Sequence, residues 1–193
     1  PADLRDDVAL SQIADWKPDL IVVAAYGHIL RPGLLELPAG GCINVHASLL
    51  PRHRGAAPVA AAILAGDART GVTIMKMDAG LDTGSVIAQR EIAIDAGQTT
   101  GALTTELAGI GAQLLGEMMP VYLRGEVKPQ PQDDTLATYA PMLKKADGRL
   151  RFSRSAVELE RQVRAMQPWP GAFALRGGQP LKLLRAQAAA GDA

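Results

Sequence analysis

Two hydrophobic periodicities alternate along the chain and set its expected architecture. Residues 8–16 have helical spacing and stop before Pro18, which predicts a short helix. Residues 20–25 form a continuous apolar run, the pattern of a strand buried on both faces of a parallel sheet. Residues 26–32 then read as a loop at the carboxyl end of that strand. Residues 42–46 alternate polar and apolar positions, sending Asn44 and His46 to one face and Ile43 and Val45 to the other. An alanine-rich helix is expected over 56–65, ended by Gly66 and Asp67, with strands over 71–77 and 85–94. From about Thr100, Leu103, Leu107, Ile110, Leu114 and Met118 share one helical face, a core stripe.

Residues 129–134 carry two prolines and two aspartates and read as a linker or surface loop. Beyond them, Val157, Leu159, Val163 and Met166 have helical spacing, and two short strands flank Gly177-Gly178. A lone hairpin is marginally stable, so this pair reads as the start of a second domain. Strands alternating with helices point to an α/β layered fold with a mainly parallel sheet.

At 193 residues, 48% hydrophobic and 21% charged, the chain can build a substantial core. No apolar run approaches the roughly 20 residues that span a bilayer, and an intracellular, cytoplasmic protein is expected. The single cysteine, Cys42, excludes an internal disulfide and a multi-thiolate metal site, and is read as a small core residue. Charge is uneven although the net is zero. Residues 1–140 hold 10 Lys/Arg against 16 Asp/Glu, a net of −6, while residues 141–193 hold 10 against 4, a net of +6. A basic C-terminal part is where a polyanion would lie.

Candidate chemistry gathers on Asn44, His46 and Asp82. Asn44 and His46 share a strand face near its carboxyl end, the usual place for ligands in open α/β sheets. Asp82 lies 36 residues beyond His46, between turn-forming Gly80 and Gly84. Each has a plain structural use too: a buried amide, a satisfied core histidine, an aspartate in an Asx-turn. Together they suit acyl transfer, with an amide donor for an oxyanion, an imidazole for the proton and a carboxylate to orient it.

The run Ile43-Asn44-Val45-His46-Ala47-Ser48-Leu49-Leu50-Pro51 resembles the signature of the folate-dependent formyltransferases. Arg54-Gly55-Ala56-Ala57-Pro58, Gly71-Val72-Thr73-Ile74-Met75, Gly80-Leu81-Asp82-Thr83-Gly84, Thr138-Tyr139-Ala140-Pro141 and Pro168-Trp169-Pro170-Gly171-Ala172-Phe173 are most similar to the branch that acts on methionyl-tRNA. The resemblance implies a Rossmann-like catalytic domain over 1–140 and, over 141–193, a linker helix and the first strands of an OB-type barrel that binds tRNA. It implies catalytic roles for Asn44, His46 and Asp82. It makes Tyr26, Gly27, Ile29, Leu30, Ser48, Leu49, Leu50 and Pro51 contacts for 10-formyltetrahydrofolate, leaving His28 unassigned. Arg52, Arg54, Lys144 and Lys145 become candidate contacts to initiator methionyl-tRNA, with Arg149, Arg151 and Arg154 beside them.

A monomer is expected, and no metal, since neither the chemistry nor the ligand inventory asks for one. Asp82 would either hold His46 or order a water in the proton path. The chain is expected to be a fragment, short of an N-terminal strand and helix and of most of the barrel, and therefore weakly stable or inactive alone. His53 stands where the family usually has Trp, and Ala60-Ala61 replace a polar pair. A formyltransferase for a nucleotide sugar or small amine, and a non-catalytic folate- or tRNA-binding remnant, are the alternatives.

Overall fold

The structure, a computed structural model, describes residues 6–189. Helix α1 (Asp7–Asp15) is capped by Asp6, whose carboxylate accepts from the Val8 N–H at 3.0 Å. Strand β1 (Ile21–Ala24) precedes a short α2 (Pro32–Leu35) that opens on proline, and β2 (Cys42–His46) follows. Next come β3 (Arg54–Gly55), α3 (Pro58–Ala65), β4 (Arg69–Lys76), β5 (Val86–Ala93) and the long α4 (Thr100–Leu123). Strand β6 (Tyr139–Ala140), helix α5 (Ala156–Ala165) and the hairpin β7 (Ala172–Arg176) and β8 (Gln179–Leu183) complete the described elements.

The α/β architecture is as expected, with strands flanked by helices. Strand order in the four-stranded sheet is β1-β2-β4-β5, and strand directions are mixed. β1 and β2 are parallel, whereas β4 runs antiparallel to both β2 and β5. The loop joining β4 to β5 is too short for a helical crossover, so a hairpin-like return follows. β1 departs from the pattern read from its sequence. It lies at the sheet edge among the described residues, and its positions alternate between half-buried and exposed.

One sheet face carries the main core: Ile43, Val72 and Ile74 pack with Leu103, Leu107 and Leu114 of α4 and Ile63 of α3. The helix approaches so closely that a Cβ at Gly111 would lie 2.9 Å from Val45 Cγ1. Ile110 and Met118 of the expected stripe flank this core, half-buried. A second cluster of Leu30, Leu34 and Cys42 seals α2 beneath β1 and β2, and burial pushes the Cys42 thiol up to about 11. That packing use agrees with the reading of Cys42 from sequence.

Helix α5 begins in a reciprocal capping box between Ser155 and Glu158 and packs on α3. Its buried face is Gln162, Val163 and Ala165, continued by Met166, while Val157 is exposed, a correction to the expected stripe. The β7–β8 hairpin turns on Gly177 and Gly178, with φ of 58° and 82°, the left-handed pair a two-residue turn requires. No helix among the described residues is long and apolar enough to cross a membrane. Leu107 is 2% exposed in the α4 core, so Leu107→Ala should destabilise the fold by about 2–5 kcal/mol in urea unfolding; a loss below about 0.5 kcal/mol would show that this stripe is not the core.

Candidate active site

Strand β2 presents Asn44 and His46 on the face opposite the core, as alternation demands. In the ladder Asn44 lies opposite Met75 and His46 opposite Thr73 of β4. Lys76 pairs with Ile43, so the loop after β4 leaves at the amino end of β2 and must fold back across the sheet face. It returns Asp82 to both polar groups. Asn44 Nδ2 donates to Asp82 Oδ1 at 3.5 Å, and His46 Nδ1 stands 3.7 Å from Asp82 Oδ2. Both distances are long for direct hydrogen bonds, so Asp82 stands beside the two groups without locking either of them.

The other ring nitrogen fixes the tautomer of His46. Nε2 lies 3.0 Å from the carbonyl oxygen of His53, which can only accept, so the neutral imidazole carries its proton on Nε2. Nδ1 then offers its lone pair on the side of Asp82 and Asn44. The imidazole is 6% exposed. Asp82 Oδ2 also accepts from the backbone N–H of Gly55 at 2.8 Å, and Asp82 is left-handed, with φ 52°. Gly55 is needed at that approach, because a Cβ there would lie 2.6 Å from the Ala140 carbonyl.

The Ser48–Pro51 turn is held by Thr73. Its hydroxyl donates to the Ser48 carbonyl at 2.6 Å and accepts from the Leu50 N–H and Gln89 Nε2. Ser48 is fully buried, its hydroxyl donating to the Arg52 carbonyl, and Leu50 is 5% exposed. Their side chains therefore shape the turn, and Leu49 and Pro51 are half-buried beside them. Leu30 is likewise committed to the second core cluster. Tyr26, Gly27 and Ile29 are exposed on the loop after β1, and the Tyr26 ring lies 5.5 Å from that of His28. Because β1 and β2 are parallel, this loop leaves the sheet at the same carboxyl end as His46.

Arg54 is engaged within the chain. Its guanidinium is bound by Gln132 Oε1 at 3.0 and 2.7 Å and by Asp134 at 2.7 Å, with the side chain 11% exposed. It is an internal strut and does not stand free for a phosphate. Arg52 is half-exposed and pairs with Asp67 at 2.6 Å; Lys144 and Lys145 are exposed. A groove of about 460 Å³ between α2 and the start of the β4–β5 loop reaches Asp78 and Ala79 but does not include Asn44, His46 or Asp82.

Several contributors were missed from sequence: the carbonyl of His53, the N–H of Gly55, Thr73, Asp67, Thr138 and Gln132. His53 has φ 58°, another left-handed position. Its N–H donates to Thr138 Oγ1 at 2.8 Å, and its Nε2 meets Asp67 Oδ2 at 2.7 Å. His and Asp are enriched several-fold at left-handed positions, the signal that could have drawn attention to His53 and Asp82.

Residues 1–119 match the formyl transferase family model, and residues 142–192 match the formyl transferase C-terminal domain. The chain belongs to the formyl transferase family. Over 192 residues it is 51% identical to a methionyl-tRNA formyltransferase of Myxococcus xanthus, covering all of this chain and 62% of that protein. It thus spans about 62% of the length of the curated relatives it matches. Two solved structures share the fold. A methionyl-tRNA formyltransferase from Clostridium thermocellum superposes with a TM-score of 0.73 at 21% identity, over 96% of this chain and 79% of that one. HypX from Aquifex aeolicus in complex with tetrahydrofolic acid gives 0.79 at 21% identity, over 93% of this chain and 31% of that one.

Within this formyl transferase fold, burial pushes the Asp67 carboxyl up, yet hydrogen bonds and charge from Arg52 and His53 outweigh it and hold the group below its ordinary value of 3.8. A depressed carboxylate stabilises the fold above its unfolded-state value, and that contribution is lost as pH falls through the folded-state value. Asp67→Asn should therefore be less stable than the parent at pH 7, with the gap closing below pH 3.8. Urea midpoints across that range check it; a gap independent of pH would show that Asp67 is not held ionised by these partners.

Proposed function

We propose that this chain carries the catalytic centre of an enzyme that transfers the formyl group of 10-formyltetrahydrofolate to the amino group of initiator methionyl-tRNA. The observation that carries the reading is the approach of Asn44, His46 and Asp82 to one another across the β2 face. The 51% identity to a methionyl-tRNA formyltransferase over the whole chain supports the choice of acceptor.

The acceptor amine attacks the formyl carbon, and the carbonyl oxygen gains negative charge. Asn44 has two amide hydrogens and one long contact, so it can donate to that oxyanion. Nδ1 of His46, left unprotonated by the His53 carbonyl, takes the proton of the attacking amine. His46 then returns a proton to the folate nitrogen as its bond to the formyl carbon breaks. Asp82 stands against Nδ1 and stabilises the positive charge that the ring carries between the two transfers. The residues beyond the carboxyl ends of β1 and β2 fit a flat pterin in part: Tyr26, Gly27 and Ile29 offer an exposed wall and Leu49 and Pro51 the rim of the turn.

Residues 1–140 are proposed as the catalytic unit and 141–193 as the start of a tRNA-binding unit. Lys144 and Lys145, with Arg149, Arg151 and Arg154, supply its phosphate contacts. A cytoplasmic monomer without a metal suits this reading. In the full-length protein, Asn44→Ala should lower kcat about 10²–10³-fold, and His46→Ala about 10²–10⁴-fold. The KM for the folate donor should change little. Transfer of labelled formyl to methionyl-tRNA measures both; near-parental turnover in either variant removes that residue from the mechanism.

A further inference from the structure

Asp82 is a non-glycine residue at φ 52°, a conformation that persists only where the surroundings over-determine it. The surroundings are one closed ring of hydrogen bonds. Gln132 Nε2 donates to the Asp82 carbonyl at 2.8 Å and to the Gly84 carbonyl at 2.7 Å. Gln132 Oε1 accepts from Arg54 Nε and Nη2. Arg54 precedes Gly55, whose N–H donates back to Asp82 Oδ2. Both the backbone and the side chain of Asp82 are thus gripped, and every polar atom of the Gln132 side chain is used.

Gln132 lies 50 residues from Asp82, in the segment whose composition reads as a linker or surface loop. That segment is stitched to the site along its length. Gln130 exchanges backbone hydrogen bonds with Val86, Asp134 pairs with Arg54, and Thr138 holds the N–H of His53, whose carbonyl meets His46. A glutamine suits the post because it offers two donors to two carbonyls and an acceptor to a guanidinium, which no charged side chain of its length does.

We infer that Gln132 is a positioning residue that sets the Asp82 carboxylate against Asn44 and His46, so that the 130–140 segment is a strap on the catalytic loop and not a passive linker. The inference rests on the formyl-transfer reading of those three residues. A misplacement of about 1 Å at a reacting centre can lower turnover about 10²-fold.

The test is a double-mutant cycle in the full-length protein, using Gln132→Ala, Asp82→Asn and their combination, with 10-formyltetrahydrofolate and methionyl-tRNA. Gln132→Ala should lower kcat about tenfold to a hundredfold, with KM for either substrate changed less than about twofold. In the Asp82→Asn background the same substitution should have almost no further effect, because the group it positions is already gone. Gln132→Glu keeps the acceptor for Arg54 but loses both donors. It should reproduce the kcat defect and replaces Gln132→Ala in the cycle if that variant fails to fold. Unchanged kcat, or the same fold-loss in both backgrounds, overturns the positioning role while leaving formyl transfer intact. Absence of transfer by the parent protein overturns the functional reading and this inference together.

Discussion

The site depends on a carboxylate carried by a left-handed residue and bonded to the N–H of Gly55. Asp82 reaches the face of β2 only because the β4–β5 loop turns back across the sheet, and it stays there through contacts at 2.8 Å from Gly55 and Gln132. Gly55 itself lies so close to the Ala140 carbonyl that a side chain has no room. Three segments far apart in sequence therefore meet within one small volume. The antiparallel register of β4 against β2 is what lets them do so, since it starts the loop at Lys76, opposite Ile43.

A second constraint acts on the imidazole. His46 is buried and its Nε2 faces a backbone carbonyl, so the carbonyl of His53 decides which nitrogen is basic. His53 is in turn gripped from two sides, by Asp67 beyond the end of α3 and by Thr138 beside β6. The His53 ring thus has a carboxylate partner in Asp67 at 2.7 Å. Ala60 is packed in the α3 core at 2% exposure, where a polar side chain would need a hydrogen-bond partner.

Much of this was legible in the sequence because it rests on short periods. Alternation over 42–46 placed Asn44 and His46 on one face, and the helical stripe from Leu103 to Leu114 identified the α4 core. The Gly-rich segment around Asp82 marked its turn. Strand direction was not legible, since an apolar run has no sense of parallel or antiparallel. The burial of β1 was overread for a related reason: a run of apolar residues records composition and not how many partners the strand finds. Gln132, Thr138 and the N–H of Gly55 left no local signal, because their roles come from contacts 27 to 85 residues distant. Ser48, Leu50 and Leu30 show the converse. Their motif positions were readable, while their burial came only with the fold.

The account turns on Nδ1 of His46 being the nitrogen that receives a proton beside Asp82. Long-range proton–nitrogen correlation of the His46 imidazole in the full-length protein tests this directly. The neutral ring should show a protonated Nε2 and a bare Nδ1, with Nδ1 gaining the proton on acidification. A neutral ring protonated on Nδ1 would contradict the account, for the basic nitrogen would then face the His53 carbonyl and not the reacting groups.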